Sequence, residues 1–379
     1  MPLSFTHRSR PQKVCFGAGG ARDHLAVEVA RLGATRILLI ATGSAHESAT
    51  ALTAGLPLVA RTDGVIQHVP AEEVEATRLT AARCGADLLV SIGGGSAVGL
   101  AKAVAVADGL PVIAVPTTYS GSEATSVWGM TVAGFKEVRL SDRALPTTVI
   151  YDPDLLATLP TELAGLSALN AVAHCVDTMW ANSVSPISQA LAMEGLQALA
   201  RGVPLLASGQ SRGRELGLYG GYLAATAYAG VGKALHHEIV HVLGGMCGLP
   251  HARTHALILP YVAAVNTPAD PGAARRIARA LGAGPDQVDR NPAAATVEHL
   301  LALREPLSGP WSLAELGVSG EHLDVLVPAI QAEVPTTNPR PVTPELLQLI
   351  LQAARSGADP RGLLPRGTYP GAKVHRGDR

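Results

Sequence analysis

Up to about residue 160 the hydrophobic positions come in short unbroken runs. Beyond it they come in long stretches with helical spacing. RILLIAT (36–42), ADLLVSIGGG (86–95) and PVIAVPTT (111–118) are aliphatic, β-branched runs of the length of a strand buried on both faces. Between the first two, VEATRLTAARCGA spaces its apolar residues for a helix. Strand, helix, strand predicts a parallel sheet with crossover helices. VIYDPDLLATLP (149–160) adds a last strand and a proline-bounded turn. From about Pro160 the strand signal stops, and LAGLSALNAVAHCVDTMWA, ISQALAMEGLQALARGVPLLA and GLYGGYLAATAYAGVGKALHHEIVHVL lead a series of helices to about Ala354. The pattern predicts an α/β domain over 1–158 and an all-helical domain over 159–356. The aperiodic end, rich in Gly, Pro and charge, predicts a loose tail over 357–379.

A chain of 379 residues suits two cores rather than one. Lys and Arg number 30 against 31 Asp and Glu, which argues against a nucleic-acid or anionic-membrane partner. The start, MPLSFTHRSR, lacks the apolar core of a signal peptide, and no apolar run is long enough to span a bilayer, so a cytoplasmic protein is expected. Cys15, Cys84, Cys175 and Cys247 are scattered without a CxxC pair, which speaks against a disulfide framework or a zinc knuckle.

Three features of the first part carry chemistry. The strand at 86–92 runs into Gly93, Gly94, Gly95 and Ser96 and then into the helical AVGLAKAVAVA. Glycines there let the backbone approach a pyrophosphate at a helix N-terminus. PTTYSGSEATS (116–126), with Thr117 and Thr118, follows another strand at the edge where open α/β sheets bind ligands. RILLIAT ends at Thr42 and Gly43, where an NAD-specific site often has a carboxylate. None would repel a 2′-phosphate here, so NADPH as well as NADH is admissible. Lys102 and Lys136 are further candidates for cofactor phosphate, although solvated lysines are the ordinary interpretation.

The helical part holds the densest chemistry. His237, His241, His251 and His255 fall within nineteen residues as two i, i+4 pairs across a Gly248 to Pro250 break. His174 lies four residues after Asn170, on the same helical face. Such a cluster suits a metal or a proton-transfer site, with His236 and His255 as supporting residues.

The order GGGS, PTTxxGSE, a helix carrying His174, then HxxxHxLGGxxxxPHxxxHAxxLP resembles the group III, iron-dependent alcohol dehydrogenase superfamily. The likeness runs from about Lys13 to Ala354. GGGSAVGLAK, with Gly99 where metal-dependent members usually carry aspartate, and NPRP (338–341) resemble the maleylacetate reductase branch. The resemblance implies a dehydroquinate synthase-like fold: a dinucleotide-binding α/β domain, a helical domain and an active site in the cleft between them. It implies NAD(P)H-dependent reduction of the C=C bond of maleylacetate to 3-oxoadipate in aromatic catabolism, by a homodimer. The alternatives are a metal-dependent alcohol or polyol dehydrogenase, or a reductase of another unsaturated keto acid.

The superfamily's metal ligands fall on Asn170, His174, His237 and His251. Asn170 replaces the one anionic ligand, so no metal is expected. Partly protonated His174, His237 and His251 would then bind the dicarboxylate. His241 is expected to act as general acid, and Arg253 and Asn170 to contact substrate.

Overall fold

The computed structural model describes residues 4–63, 65–66, 69–132, 135–181 and 184–365. The first part runs β1 (Lys13–Phe16), α1 (Ala21–Leu32), β2 (Ile37–Ala41), α2 (His46–Thr53), β3 (Leu58–Asp63), α3 (Ala71–Cys84), β4 (Leu88–Gly93), α4 (Gly95–Asp108), β5 (Val112–Pro116), β6 (Val127–Val132), β7 (Phe135–Leu140) and β8 (Thr148–Tyr151). Six strands form a parallel sheet in the order β1-β8-β5-β4-β2-β3. Side chains alternate across it, as the pleat requires. Ile37, Leu39, Val90, Ile92 and Val115 pack with α1 and α2, whereas Leu38, Ile40, Leu89 and Val112 pack with α3 and α4. The strand order reverses between β2 and β4, the place where doubly wound sheets bind ligands.

The second part is helical: α5 (Thr161–Trp180), α6 (Pro186–Ala207), α7 (Ser211–Tyr228), α8 (Leu235–Cys247), α9 (His251–Asn266), α10 (Pro271–Ala280), α11 (Pro285–Arg290), α12 (Pro292–Arg304), α13 (His322–Glu333) and α14 (Pro344–Ser356). Ser185, Asp270, Asn291 and Thr343 cap α6, α10, α12 and α14 with their side chains, each followed by a proline at the first helical position. One core joins α5, α6, α7, α8, α9 and their neighbours, and it reaches into the first part through Tyr119, Val149, Tyr151 and Leu156. Among the described residues no helix is long and apolar enough to cross a membrane.

The structure corrects the sequence in two places. The antiparallel hairpin β6–β7 was not foreseen, nor were the short strands β1 and β3. The start of the expected loose tail, residues 357–365, is instead packed down. A short turn at Pro360–Leu363 buries Pro360, and Ala358 accepts a 2.9 Å hydrogen bond from the Tyr261 hydroxyl, so its backbone has a fixed partner on α9. Residues 366–379 lie outside the described residues.

Candidate active site

Three neighbouring strands deliver the cofactor candidates to one edge. Thr42 follows β2, Gly93 ends β4, and Thr117 and Thr118 follow β5. Gly93 sits at φ +150°, and a Cβ there would lie 2.8 Å from both Oγ1 and Cγ2 of Thr42. Only glycine fits that contact. A Cβ on Gly94 would come within 3.1 Å of Thr118, and one on Gly95 within 3.3 Å of Ser120. The Thr117 amide donates to the Gly93 carbonyl at 2.9 Å. Gly93, Gly94, Gly95, Ser96, Thr42, Thr117 and Thr118 therefore form one cradle at the N-terminus of α4, whose free N–H groups and dipole favour an anion.

Lys102 is not part of that surface. It is fully buried, and its Nζ donates to the carbonyls of Ser122 at 2.6 Å and Thr125 at 2.9 Å. Lys102 is therefore neither the solvated lysine of the ordinary interpretation nor a contact for phosphate, because helical phase turns residue 102 inward from the start of α4. The side chain of Lys136 lies outside the described residues.

The helical part brings the histidines together. On α5, Asn170, His174 and Asp177 stand at i, i+4 and i+7 on one face. On α8, His237 and His241 do the same, and on α9 His251 and His255. His174 and His237 stack at 4.9 Å between ring centroids with planes 11° apart. Tyr228, at the end of α7, stacks on both, at 4.8 Å from His174 and 4.4 Å from His237. Asp177 is fully buried and joined to His237 Nδ1 by a 2.6 Å hydrogen bond. The sequence reading missed Asp177 and Tyr228. The first was visible as a continuation of the Asn170–His174 stripe, whereas the second is brought in by the crossing of α7 and left no local signal.

A second chain of rings runs behind the pocket. His251 Nε2 lies 3.2 Å from His255 Nε2, and His255 Nδ1 lies 3.1 Å from His236 Nε2. His236 and His255 are fully buried. His241 and His251 are exposed at the mouth, their rings 6.0 Å apart and nearly parallel.

Burial sets the charge of the inner rings. It drives His237 down to about 3, with His251 adding to the effect. It likewise drives His174, His236 and His255 well below the ordinary histidine value. Burial pushes Asp177 up, so the short Asp177–His237 contact joins two groups that favour their neutral forms. The expectation that His174 and His237 are partly protonated near neutral pH is therefore corrected. They present lone pairs rather than positive charge.

Arg253 also departs from expectation. Two residues on from His251 along α9, it points away from the pocket. It is buried against Glu162, with which it pairs, donates to the Ser308 carbonyl at 2.6 Å and lies 5.0 Å over the Trp311 ring. An arginine so occupied holds α9 to α5 and is not offered to substrate.

The cradle and the pocket meet along α7. Tyr119 packs its ring against Gly217, and a Cβ on Gly121 would lie 2.6 Å from that of Ala225. Ala225 is one turn before Tyr228, so the loop after β5 sits one turn of α7 from the stacked histidines.

The sequence model described as iron-containing alcohol dehydrogenase matches residues 11–153. That of the C-terminal part of the Fe-containing alcohol dehydrogenase family matches residues 165–355. The chain belongs to the iron-containing alcohol dehydrogenase family. It is 38% identical to a maleylacetate reductase of Sphingobium indicum over 94% of this chain and 99% of that protein. Its fold is similar to the structure of an iron-containing alcohol dehydrogenase from Corynebacterium glutamicum, with TM-score 0.90, 42% identity and coverage of 96% and 100% of the two chains. The structure of maleylacetate reductase from Agrobacterium tumefaciens gives TM-score 0.87 at 34% identity, covering 94% and 100%. The chain is thus an oxidoreductase of this family.

Membership overturns the expectation of no metal. Both halves match models of a family named for iron, and the 42% identical structure carries iron in its name. The side chains fit such an ion. Asn170 Oδ1, His174 Nδ1 and His237 Nε2 are buried without a hydrogen-bond partner. Asp177 holds the other nitrogen of His237, the usual support of a ligating imidazole. Among the described residues no three His, Cys, Asp or Glu are placed to hold a metal, so the candidate donor set is two imidazoles together with the amide oxygen of Asn170.

Proposed function

We propose that this enzyme uses NADH or NADPH to reduce the C=C bond of maleylacetate, giving 3-oxoadipate. The observation that carries the proposal is that the loop after β5, which also meets the glycine turn, packs one turn of α7 from a pocket of buried, stacked imidazoles. Near full-length similarity to maleylacetate reductases supplies the substrate.

In this mechanism the turn at Gly93 to Ser96 binds pyrophosphate through backbone N–H groups, while Thr42, Thr117 and Thr118 line the nucleotide. The carboxyl end of β2 offers Ala41 and Thr42, and the carboxylate of Asp63 on the adjacent β3 is paired with Arg61, so NADPH is admissible beside NADH. A reduced nicotinamide bound there would supply the hydride for one alkene carbon. His241, exposed at the mouth, gives the proton to the other carbon, so the π bond is lost and two C–H bonds are made. Asn170, His174 and His237 are the residues whose buried donor atoms would hold a divalent metal, with His251 as a fourth if its ring turned from His255, and the ion would supply Lewis acidity toward the keto group. His174 and His237 are suited to this by being neutral.

The family habit supports a cytoplasmic homodimer, and the change from strands to helices supports domains over 1–158 and 159–356. The test is NADH and NADPH oxidation with maleylacetate, with primary alcohols and polyols in parallel. Turnover of maleylacetate, cut about a hundredfold or more in kcat/KM by His241→Ala, is the expected result. Turnover of alcohols alone would replace the proposal with the dehydrogenase alternative.

A further inference from the structure

Lys102, singled out in the sequence, is a buried cation that the mechanism above does not use. Lys102 lies on α4, the helix whose N-terminus carries the glycine turn, and none of its side chain reaches solvent. Its Nζ has three acceptors, all in the loop after β5: the Ser122 carbonyl at 2.6 Å, the Thr125 carbonyl at 2.9 Å and Thr125 Oγ1 at 3.4 Å. Three acceptors match the three protons of an ammonium.

Between those two carbonyls sits Glu123, itself buried. Its Oε1 accepts from the Tyr151 hydroxyl of β8 at 2.8 Å, and its Oε2 from Ser120 Oγ at 3.4 Å. Its backbone carbonyl accepts from Gln12 Nε2 at 2.8 Å. The inner side of the loop is thus held by α4, β8 and Gln12 together. Its outer side meets the turn, with Thr118 against Gly94 and Ser120 against Gly95. Both halves of the cradle therefore refer to one rigid body, α4: the turn by covalent continuity and the loop through Lys102.

We propose that Lys102 and Glu123 are positioning residues for the dinucleotide. They fix the gap between the loop at 117–125 and the turn at 93–96, and neither touches the cofactor. Burying a lysine is costly unless its donors are satisfied, and burial here draws the ammonium down to about 7 against the opposing pull of the Glu123 carboxylate. A methionine would fill the same volume without that cost, so the hydrogen bonds to the loop are what a lysine adds at this position.

This inference rests on the dinucleotide interpretation of the turn, and the experiment separates the two. NADH and NADPH dissociation constants are measured by fluorescence for the wild type, Lys102→Met and Glu123→Gln, with folding checked by circular dichroism. KM values for cofactor and for maleylacetate are measured alongside. The expected result is a tenfold or greater weakening of cofactor binding in Lys102→Met, with KM for maleylacetate changed less than twofold. Glu123→Gln should shift the same way by about threefold, and it decides the matter if the first variant does not fold. A general loosening of the protein would move both KM values together and would overturn the proposal. So would folded variants that bind cofactor as tightly as the wild type. A wild type that binds neither dinucleotide removes the interpretation of the turn itself, and the role of Lys102 with it.

Discussion

In the proposed ligand set Asn170 is the residue that would decide how firmly the pocket holds a metal. Its amide oxygen is buried and without a hydrogen-bond partner, one helical turn before His174 on the same face of α5. A neutral donor set holds a divalent ion less firmly than one containing a carboxylate. Asn170→Asp should therefore raise affinity for Fe²⁺ or Zn²⁺ by at least about tenfold, measured by competition with a chromophoric chelator. Without metal the new carboxylate is buried and unpaired, so the variant should melt lower than the wild type and gain more from added Zn²⁺. Equal affinities would place Asn170 outside the ligand set. Much at this scale was legible, because i, i+4 spacing on a helix is a local property that puts Asn170 with His174 and His237 with His241. Arg253 shows the limit. Its neighbour His251 faces the pocket, but a step of two along a helix turns a side chain away, and its partners Glu162 and Trp311 are far off in sequence.

Among the elements, β2, β4 and β5 were readable because both faces are covered and their sequences are unbroken apolar runs. The strands β1, β6 and β7 are short and half-exposed and carry no long apolar run, so they are overshadowed by the buried runs, although VWGMTV (127–132) is rich in strand-forming residues. β1 is instead held by a charge network. Buried Glu28 of α1 pairs with Lys13 of β1, accepts from Arg31 Nε at 2.7 Å, and accepts from Thr148 Oγ1 of β8 at 3.0 Å. Burial alone would raise the Glu28 carboxyl, but the hydrogen bonds from Lys13, Arg31 and Thr148 together bring it below its ordinary 4.5. A carboxyl lowered on folding adds stability that is full above the unfolded value and is lost as pH falls through the folded one. Glu28→Gln should accordingly be less stable than the wild type at pH 7, and the gap should narrow as pH drops below 4.5. Urea unfolding at pH 7 and near pH 4 checks this, and a gap that stays constant with pH would show that the charge of Glu28 contributes nothing.

For the molecule as a whole, the change of texture near residue 160 announced a strand-bearing part and a helical part, but not how they touch. Beside Val149, Tyr151 and Leu156, that contact is made by Tyr119 and Gly121 in the loop and by Gly217 and Ala225 on α7, a pairing of distant residues that no local pattern announces. Gly121 has φ +71°, and a Cβ there would lie 2.6 Å from the Ala225 Cβ. Gly121→Ala thus incurs a left-handed backbone penalty of about 1–2 kcal/mol and an overpacking cost of about 1–3 kcal/mol. The two are separable. Adding Ala225→Gly removes the steric partner and leaves the backbone penalty, together with the loss of helix propensity of roughly 1 kcal/mol at position 225. A double-mutant cycle by urea unfolding should therefore show a favourable coupling of about 1 kcal/mol or more between the two changes. If the contact also sets the distance from cradle to pocket, kcat/KM should fall in Gly121→Ala and recover partly in the double variant, because misplacing the nicotinamide by about 1 Å costs on the order of a hundredfold. Additive stabilities would mean the parts are not in tight contact there. Coupled stabilities with unchanged kcat/KM would mean that the join supports the fold without setting the geometry of hydride transfer.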